Sequence, residues 1–137
     1  MPPPLLTFID SCLLIEAATG ATALAEKALE ILDDPNRTFA SSSFVKLEVM
    51  PGPSFHGIDG ELRSYESFFK RVSAWATCDE ELVRQALNIA TADGVLGAMD
   101  ALHVAAAAQL GCAELWTAEK SGKPLLRAKA IAVKTIR

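Results

Sequence analysis

The sequence predicts an α/β fold, a three-layer α/β/α sandwich around a mostly parallel sheet. Four short apolar runs have strand length: LLTFI (5–9), RTFA (37–40), AELWT (113–117) and IAVKTI (131–136). The first is continuous rather than alternating, as expected of a strand covered on both faces. Helical patterns separate the runs, which argues for βαβ units with helices on both faces of the sheet.

Taken in order, LLTFI ends on Asp10, and the residues after it read as a helix start. Residues 20–33 place Leu24, Ala28, Ile31 and Leu32 on one face, and Asp33-Asp34-Pro35-Asn36 stops that helix before RTFA. A short helix-like segment, FVKLEVMP, follows the second strand, and PGPSFHG (51–57) reads as a loop. Residues 60–74 repeat the amphipathic pattern with Leu62, Tyr65, Phe69 and Val72, and a weak strand falls near Ser73–Thr77. Asp79 suits the N-cap of a helix over 80–92, with Leu82, Ala86 and Ala90 inward. Residues 98–110 are so rich in alanine that this helix is expected to pack backbone-close in the middle of the fold.

At 137 residues, half of them hydrophobic, the chain reads as one globular domain, residues 1–137, with a core of its own. No apolar stretch reaches the roughly 18 residues that cross a bilayer. The opening MPPPLL has no basic segment and does not read as a signal peptide. Cys12, Cys78 and Cys112 are an odd number without a CxxC spacing, so reduced structural thiols in a cytoplasmic protein are expected.

The net charge of −4 argues against a nucleic-acid partner, but the charge is unevenly spread. Residues 1–119 carry seven Lys/Arg and all 17 Asp/Glu, whereas residues 120–137 carry six Lys/Arg and no acid. Lys120, Lys123, Arg127, Lys129, Lys134 and Arg137 thus form a basic tail on an acidic body. By itself such a tail reads as solubilising charge.

Four acids stand in apolar surroundings near element ends. Asp10 closes the first run, Glu48 lies in FVKLEVMP, Asp100 lies in GAMDALHVAAAA and Glu119 follows AELWT. Each has an ordinary reading: Asp10 as a helix cap, Asp100 as a complement to a helix dipole, Glu48 as a partner of Lys46, Glu119 as an exposed loop residue. Ligands of open α/β sheets bind beyond the carboxyl ends of the strands. Carboxylates gathered there repel one another unless a cation occupies the cluster, and an all-oxygen site suits Mg²⁺ or Mn²⁺.

Four segments carry a family resemblance: FIDSCLLIEA, LEVMPGP, GAMDALHVAAAAQLG and ELWTAEK. In order and spacing they resemble the PIN-domain ribonucleases, particularly the small bacterial kind that act as toxins of toxin–antitoxin pairs. The resemblance implies that Asp10, Glu48, Asp100 and Glu119 are catalytic and ligate one or two divalent metals. It implies that Ser11 and Thr117 orient the first and last acids. It further implies an Mg²⁺- or Mn²⁺-dependent endoribonuclease, with water attacking in line at phosphorus to leave 5′-phosphate and 3′-hydroxyl ends. An RNA substrate, a cognate antitoxin and a homodimer follow as partners, and Lys120, Lys123 and Arg127 become a lip that guides RNA. The chain departs from the family pattern twice: the fourth acid is Glu rather than Asp, and KSGKPLL lacks the aromatic residue that commonly follows. A catalytically silent PIN-like domain that binds RNA or a protein is the alternative.

Other residues read as structural. His103, three residues after Asp100, is expected to be a packed core histidine, and His56 sits in the Gly/Pro loop without a visible partner. Asp93, in TADGV, reads as a helix-end or turn residue, with an auxiliary acid as the alternative. Cys12 has no acid–base relay beside it, so a thiol nucleophile is not expected. Phosphate loops, zinc spacings and nucleotide fingerprints are absent. A phosphoacceptor receiver would need an acidic pair in the first βα loop, where Asp10 is followed by Ser-Cys.

Overall fold

A computed structural model describes residues 2–137. The chain runs β1 (Leu5–Ile9), α1 (Ser11–Thr19), α2 (Ala23–Leu32), β2 (Arg37–Ser41), α3 (Ser43–Val49), α4 (Pro51–His56) and α5 (Asp59–Arg71). It continues through β3 (Val72–Trp75), α6 (Glu80–Asp93), α7 (Ala98–Gln109), β4 (Glu114–Thr117), a 3-10 turn (Pro124–Arg127) and β5 (Val133–Thr135). The five strands pair in parallel in the order β3-β2-β1-β4-β5. Strand progression therefore moves one way from β1 to β3, then crosses back to β4 on the other side of β1. Right-handed crossovers in opposite directions put α1–α5 on one face and α6 and α7 on the other. The crevice between the carboxyl ends of β1 and β4 is the point where the direction of winding reverses.

β1 is the central strand, and Phe8 and Ile9 are fully buried together with Leu115 of β4. On α7, Val104 to Ala107 are also fully buried, so the alanine-rich helix lies close to the sheet as its composition predicts. Ser42 caps α3 through Val45 N, Thr22 caps α2 through Leu24 N, and Asp79 caps α6 through Leu82 N. No helix among the described residues is long and apolar enough to cross a membrane.

Two expectations need correction. PGPSFHG is a short helix rather than a loop: Pro51 occupies its first turn, where a missing N–H costs nothing, and Gly57 ends it at φ +67°. Val72 belongs to β3 rather than to the helix before it, because it pairs with Phe39 while its N–H closes α5 on the Phe69 carbonyl. The weak strand near Ser73–Thr77 is real and forms the β3 edge of the sheet.

Candidate metal centre

Asp10 leaves β1 at the winding reversal, and its backbone N–H still pairs with the Trp116 carbonyl of β4, 3.2 Å away. Its φ of −80° and ψ of 169° make it the N-cap of α1, with Oδ1 accepting from Leu13 N at 3.2 Å. Oδ2 accepts from the Thr117 hydroxyl at 2.7 Å, and the Cys12 thiol lies 3.2 Å from Oδ1. The residue is only 3 % exposed. Burial pushes its carboxyl up from the ordinary value despite these hydrogen bonds.

Glu48 stands on α3, with its side chain 33 % exposed. One oxygen, Oε1, accepts both from Ser11 Oγ and from His103 Nε2, each at 2.5 Å. The His103 bond holds this carboxyl below its ordinary value, against partial burial. Asp100 lies in the first turn of α7, half-buried. Burial raises its carboxyl, His103 lowers it, and the charges of Glu119 and Glu48 raise it further. Glu119 follows β4, half-buried, and its backbone N–H donates to Thr117 Oγ1 at 3.1 Å.

The four acids thus share one edge of the sheet, close enough for Asp100 to feel both glutamates. Their donor chemistry, all carboxylate oxygen, fits a hard divalent cation. In this arrangement, however, no group of three or more His, Cys, Asp or Glu among the described residues is drawn together tightly enough to hold a metal ion. The hydroxyls also differ from expectation in their partners. Ser11 bonds Glu48 rather than Asp10, and Thr117 bonds Asp10 while capping the Glu119 backbone. Both hydroxyls thus reach an acid on another segment, Ser11 one on α3 and Thr117 the one that follows β1.

His103 is 2 % exposed, as a core residue should be, with its ring centroid 5.9 Å from that of Phe8. It is nevertheless bonded to Glu48, which packing alone does not explain. The signal available was its place one helical turn after Asp100. Cys12 is inert: burial and the neighbouring Asp10 charge push its thiol up to about 12. Asp93 ends α6 and accepts from Val95 N, while His56 meets the Phe55 ring edge-on.

The basic tail divides. Lys134 pairs with Glu114 at 3.3 Å and Arg127 with Asp93 at 3.4 Å, while Arg137 Nε donates to the Ala118 carbonyl. Lys120, Lys123 and Lys129 are exposed. Glu114 is a site that sequence reading passed over inside an apolar run. It is 2 % exposed and accepts from Thr7 Oγ1 at 2.6 Å and from Arg37 Nε at 2.8 Å. Burial would raise this carboxyl, but Arg37 and Thr7 outweigh it and bring it to about 2. It opens β4, at the end remote from Thr117, and so belongs to the framework rather than to the acidic edge.

A family model described as "PIN domain" matches residues 7–123. No curated protein matches the sequence. Among solved structures, VapBC2 from Rickettsia felis, bound to a DNA fragment from its promoter, is similar with a TM-score of 0.72 at 17% identity, covering 96% of this chain and 98% of that chain. DNA-bound VapBC from Salmonella typhimurium gives a TM-score of 0.66 at 17% identity, with 97% and 99% covered. FitAcB from Neisseria gonorrhoeae gives 0.62 at 17% identity, with 93% and 95% covered. At this identity the likeness is one of fold.

Proposed function

The chain belongs to the PIN-domain family, and on that premise we propose that it is a metal-dependent endoribonuclease, the toxin of a toxin–antitoxin pair, acting in the cytoplasm. The observation that carries this reading is the crowding of carboxylates at the winding reversal: Asp100 is raised by burial and by the charges of Glu119 and Glu48. A divalent cation relieves such repulsion. Asp10, Glu48, Asp100 and Glu119 would hold Mg²⁺ or Mn²⁺, which when bound neutralises phosphate charge and lowers the pKa of a water. Leu13 N and Thr117 orient Asp10, and Ser11 and His103 orient Glu48. Lys120, Lys123 and Arg127 draw the RNA backbone toward an otherwise acidic body. An antitoxin partner follows from the resemblance to toxin-type PIN domains, and the likeness in fold to VapBC2, VapBC and FitAcB supports it. A homodimer follows from the resemblance alone.

A second reading, a catalytically silent domain that binds RNA or protein, is favoured by the lack of any tight group of three ligands among the described residues. Incubating the protein with RNA in Mg²⁺, in chelator and as Asp10→Asn separates the two. The nuclease reading expects Mg²⁺-dependent products with 5′-phosphate ends that the variant does not make. Calorimetry without binding of Mn²⁺, together with intact RNA, would establish the silent domain instead.

A further inference from the structure

The bond between His103 and Glu48 is more than core packing requires. His103 is almost wholly buried, and its Nδ1 has no hydrogen-bond partner among the described residues. With Nδ1 unpartnered, the tautomer that fits carries its proton on Nε2 and donates it to Glu48 Oε1 at 2.5 Å. A leucine would fill the same space without leaving a buried nitrogen unsatisfied. What the histidine adds over such a residue is the Nε2 bond to Glu48.

What Nε2 does is fix a carboxylate that nothing else on its own element fixes. Glu48 is the most exposed of the four acids on a short helix, and its long side chain would otherwise sample several rotamers. Ser11 Oγ and His103 Nε2 both bond the same oxygen, Oε1, and Oε2 has no hydrogen bond among the described residues. The imidazole itself cannot swing, because it is enclosed in the core and seated beside Phe8. A nucleophilic relay is a poor account of the trio. Ser11 Oγ lies 3.5 Å from Nε2, the nitrogen already turned to the acid, and no acid holds Nδ1.

We infer that His103 is a positioning residue that, with the Ser11 hydroxyl, pins Glu48 through Oε1 and leaves Oε2 as the oxygen offered to a cation. The inference rests on the metal-site reading given under Proposed function. It assigns α7 two tasks one turn apart, since Asp100 supplies a carboxylate directly and His103 aims one carried by α3.

The test is Mn²⁺ titration by calorimetry of the parent, Asp100→Asn, His103→Leu, His103→Gln and Ser11→Ala, with thermal unfolding of each metal-free protein alongside. His103→Leu should weaken Mn²⁺ binding by about ten- to a hundredfold, the range for lost outer partners of metal ligands. His103→Gln, whose amide N–H can reach the place of Nε2, should recover most of that affinity, and Ser11→Ala should lose about tenfold, the low end of that range. Should His103→Leu fail to fold, His103→Asn, whose amide is too short to reach Glu48, takes its place with the same weakening expected and the same overturning result. A purely structural histidine predicts altered unfolding temperatures with unaltered Mn²⁺ affinity. Parental or tighter Mn²⁺ binding by His103→Leu, while Asp100→Asn binds weakly, overturns the inference and leaves the metal site standing. A parent protein that binds no Mn²⁺ overturns both.

Discussion

The Thr117 hydroxyl donates to Asp10 Oδ2 at 2.7 Å, joining the end of β4 to the start of α1 across the winding reversal. The same oxygen, Oγ1, accepts the Glu119 N–H, so one threonine orders two acids. Thr117→Val keeps the shape and removes the hydroxyl, leaving a buried carboxylate oxygen short of a donor. The metal-free protein should lose about 1–3 kcal/mol in urea unfolding, and Thr117→Ser should regain most of it. Unchanged stability in the valine variant would show that the bond contributes nothing.

Asp10→Asn and Asp100→Asn should each abolish Mg²⁺-dependent cleavage while leaving the metal-free fold as stable as the parent or more so. Burial raises both carboxyls above the ordinary 3.8. A group raised in this way adds its full stability only below 3.8, and the gain is lost as pH rises through the folded value. Above the ordinary value each acid therefore opposes folding relative to acid pH, and asparagine, still a good N-cap at position 10, removes the opposition. The advantage of the variants should shrink as pH is lowered toward 3.8. Unfolding of both variants at neutral pH would instead mark the acids as structural caps.

Glu114 behaves in the opposite sense. Its carboxyl lies at about 2, below the ordinary 4.5, so its stabilisation is present above 4.5 and lost as pH falls through about 2. Glu114→Gln should cost about 2 kcal/mol at neutral pH, the scale of a charge-assisted hydrogen bond, because Arg37 Nε loses its charged acceptor while Arg37 keeps only Asp34. The difference from the parent should fade in acid. A constant difference across that range would assign the loss to shape rather than charge.

Replacing Lys120, Lys123 and Arg127 together by Gln should weaken RNA binding and flatten its dependence on salt by about two units of slope at most. Arg127 is engaged with Asp93, so the two lysines should carry most of the change. A slope identical to the parent's returns all three to solubilising charge.

Glu119 reaches about one C–C bond further than Asp, while Mg²⁺ holds its oxygens at about 2.0–2.1 Å. If the glutamate ligates directly, Glu119→Asp falls short and cleavage drops about tenfold. If it acts through a water, the aspartate holds or raises activity. Glu119→Gln should lower metal affinity in either arrangement, and parental cleavage by that variant at limiting Mg²⁺ would remove Glu119 from the site.

The strands and long helices were legible because apolar period and capping residues coincide there. Asp79 and the Asp33-Asp34-Pro35-Asn36 stop both lie at element boundaries. PGPSFHG misled because Pro and Gly punctuate a short helix as readily as they break a loop, Pro51 at its start and Gly57 at its end. In the candidate site, the sequence shows four acids near element ends, but not which hydroxyl serves which acid. Those pairings are tertiary: Thr117 meets Asp10 because β4 lies beside β1, more than a hundred residues away in sequence, and Ser11 meets Glu48 because α3 packs against α1. His103 was hidden by its own burial, since an apolar helix face gives no sign of the carboxylate arriving from α3.

The winding order also has a temporal side. β1 is made first, yet the neighbour that completes it at the carboxyl end, β4, is made after α7. A nascent chain that has emerged as far as Gln109 already carries Asp10, Glu48 and Asp100 but lacks Thr117 and Glu119. Pairings between distant segments close late, since the loop entropy must be met before the contact rewards it. The ordering of Asp10 is thus reserved for a chain that has grown past Thr117 and docked β4, so a product interrupted before that point holds three of the acids with Asp10 lacking its Thr117 bond.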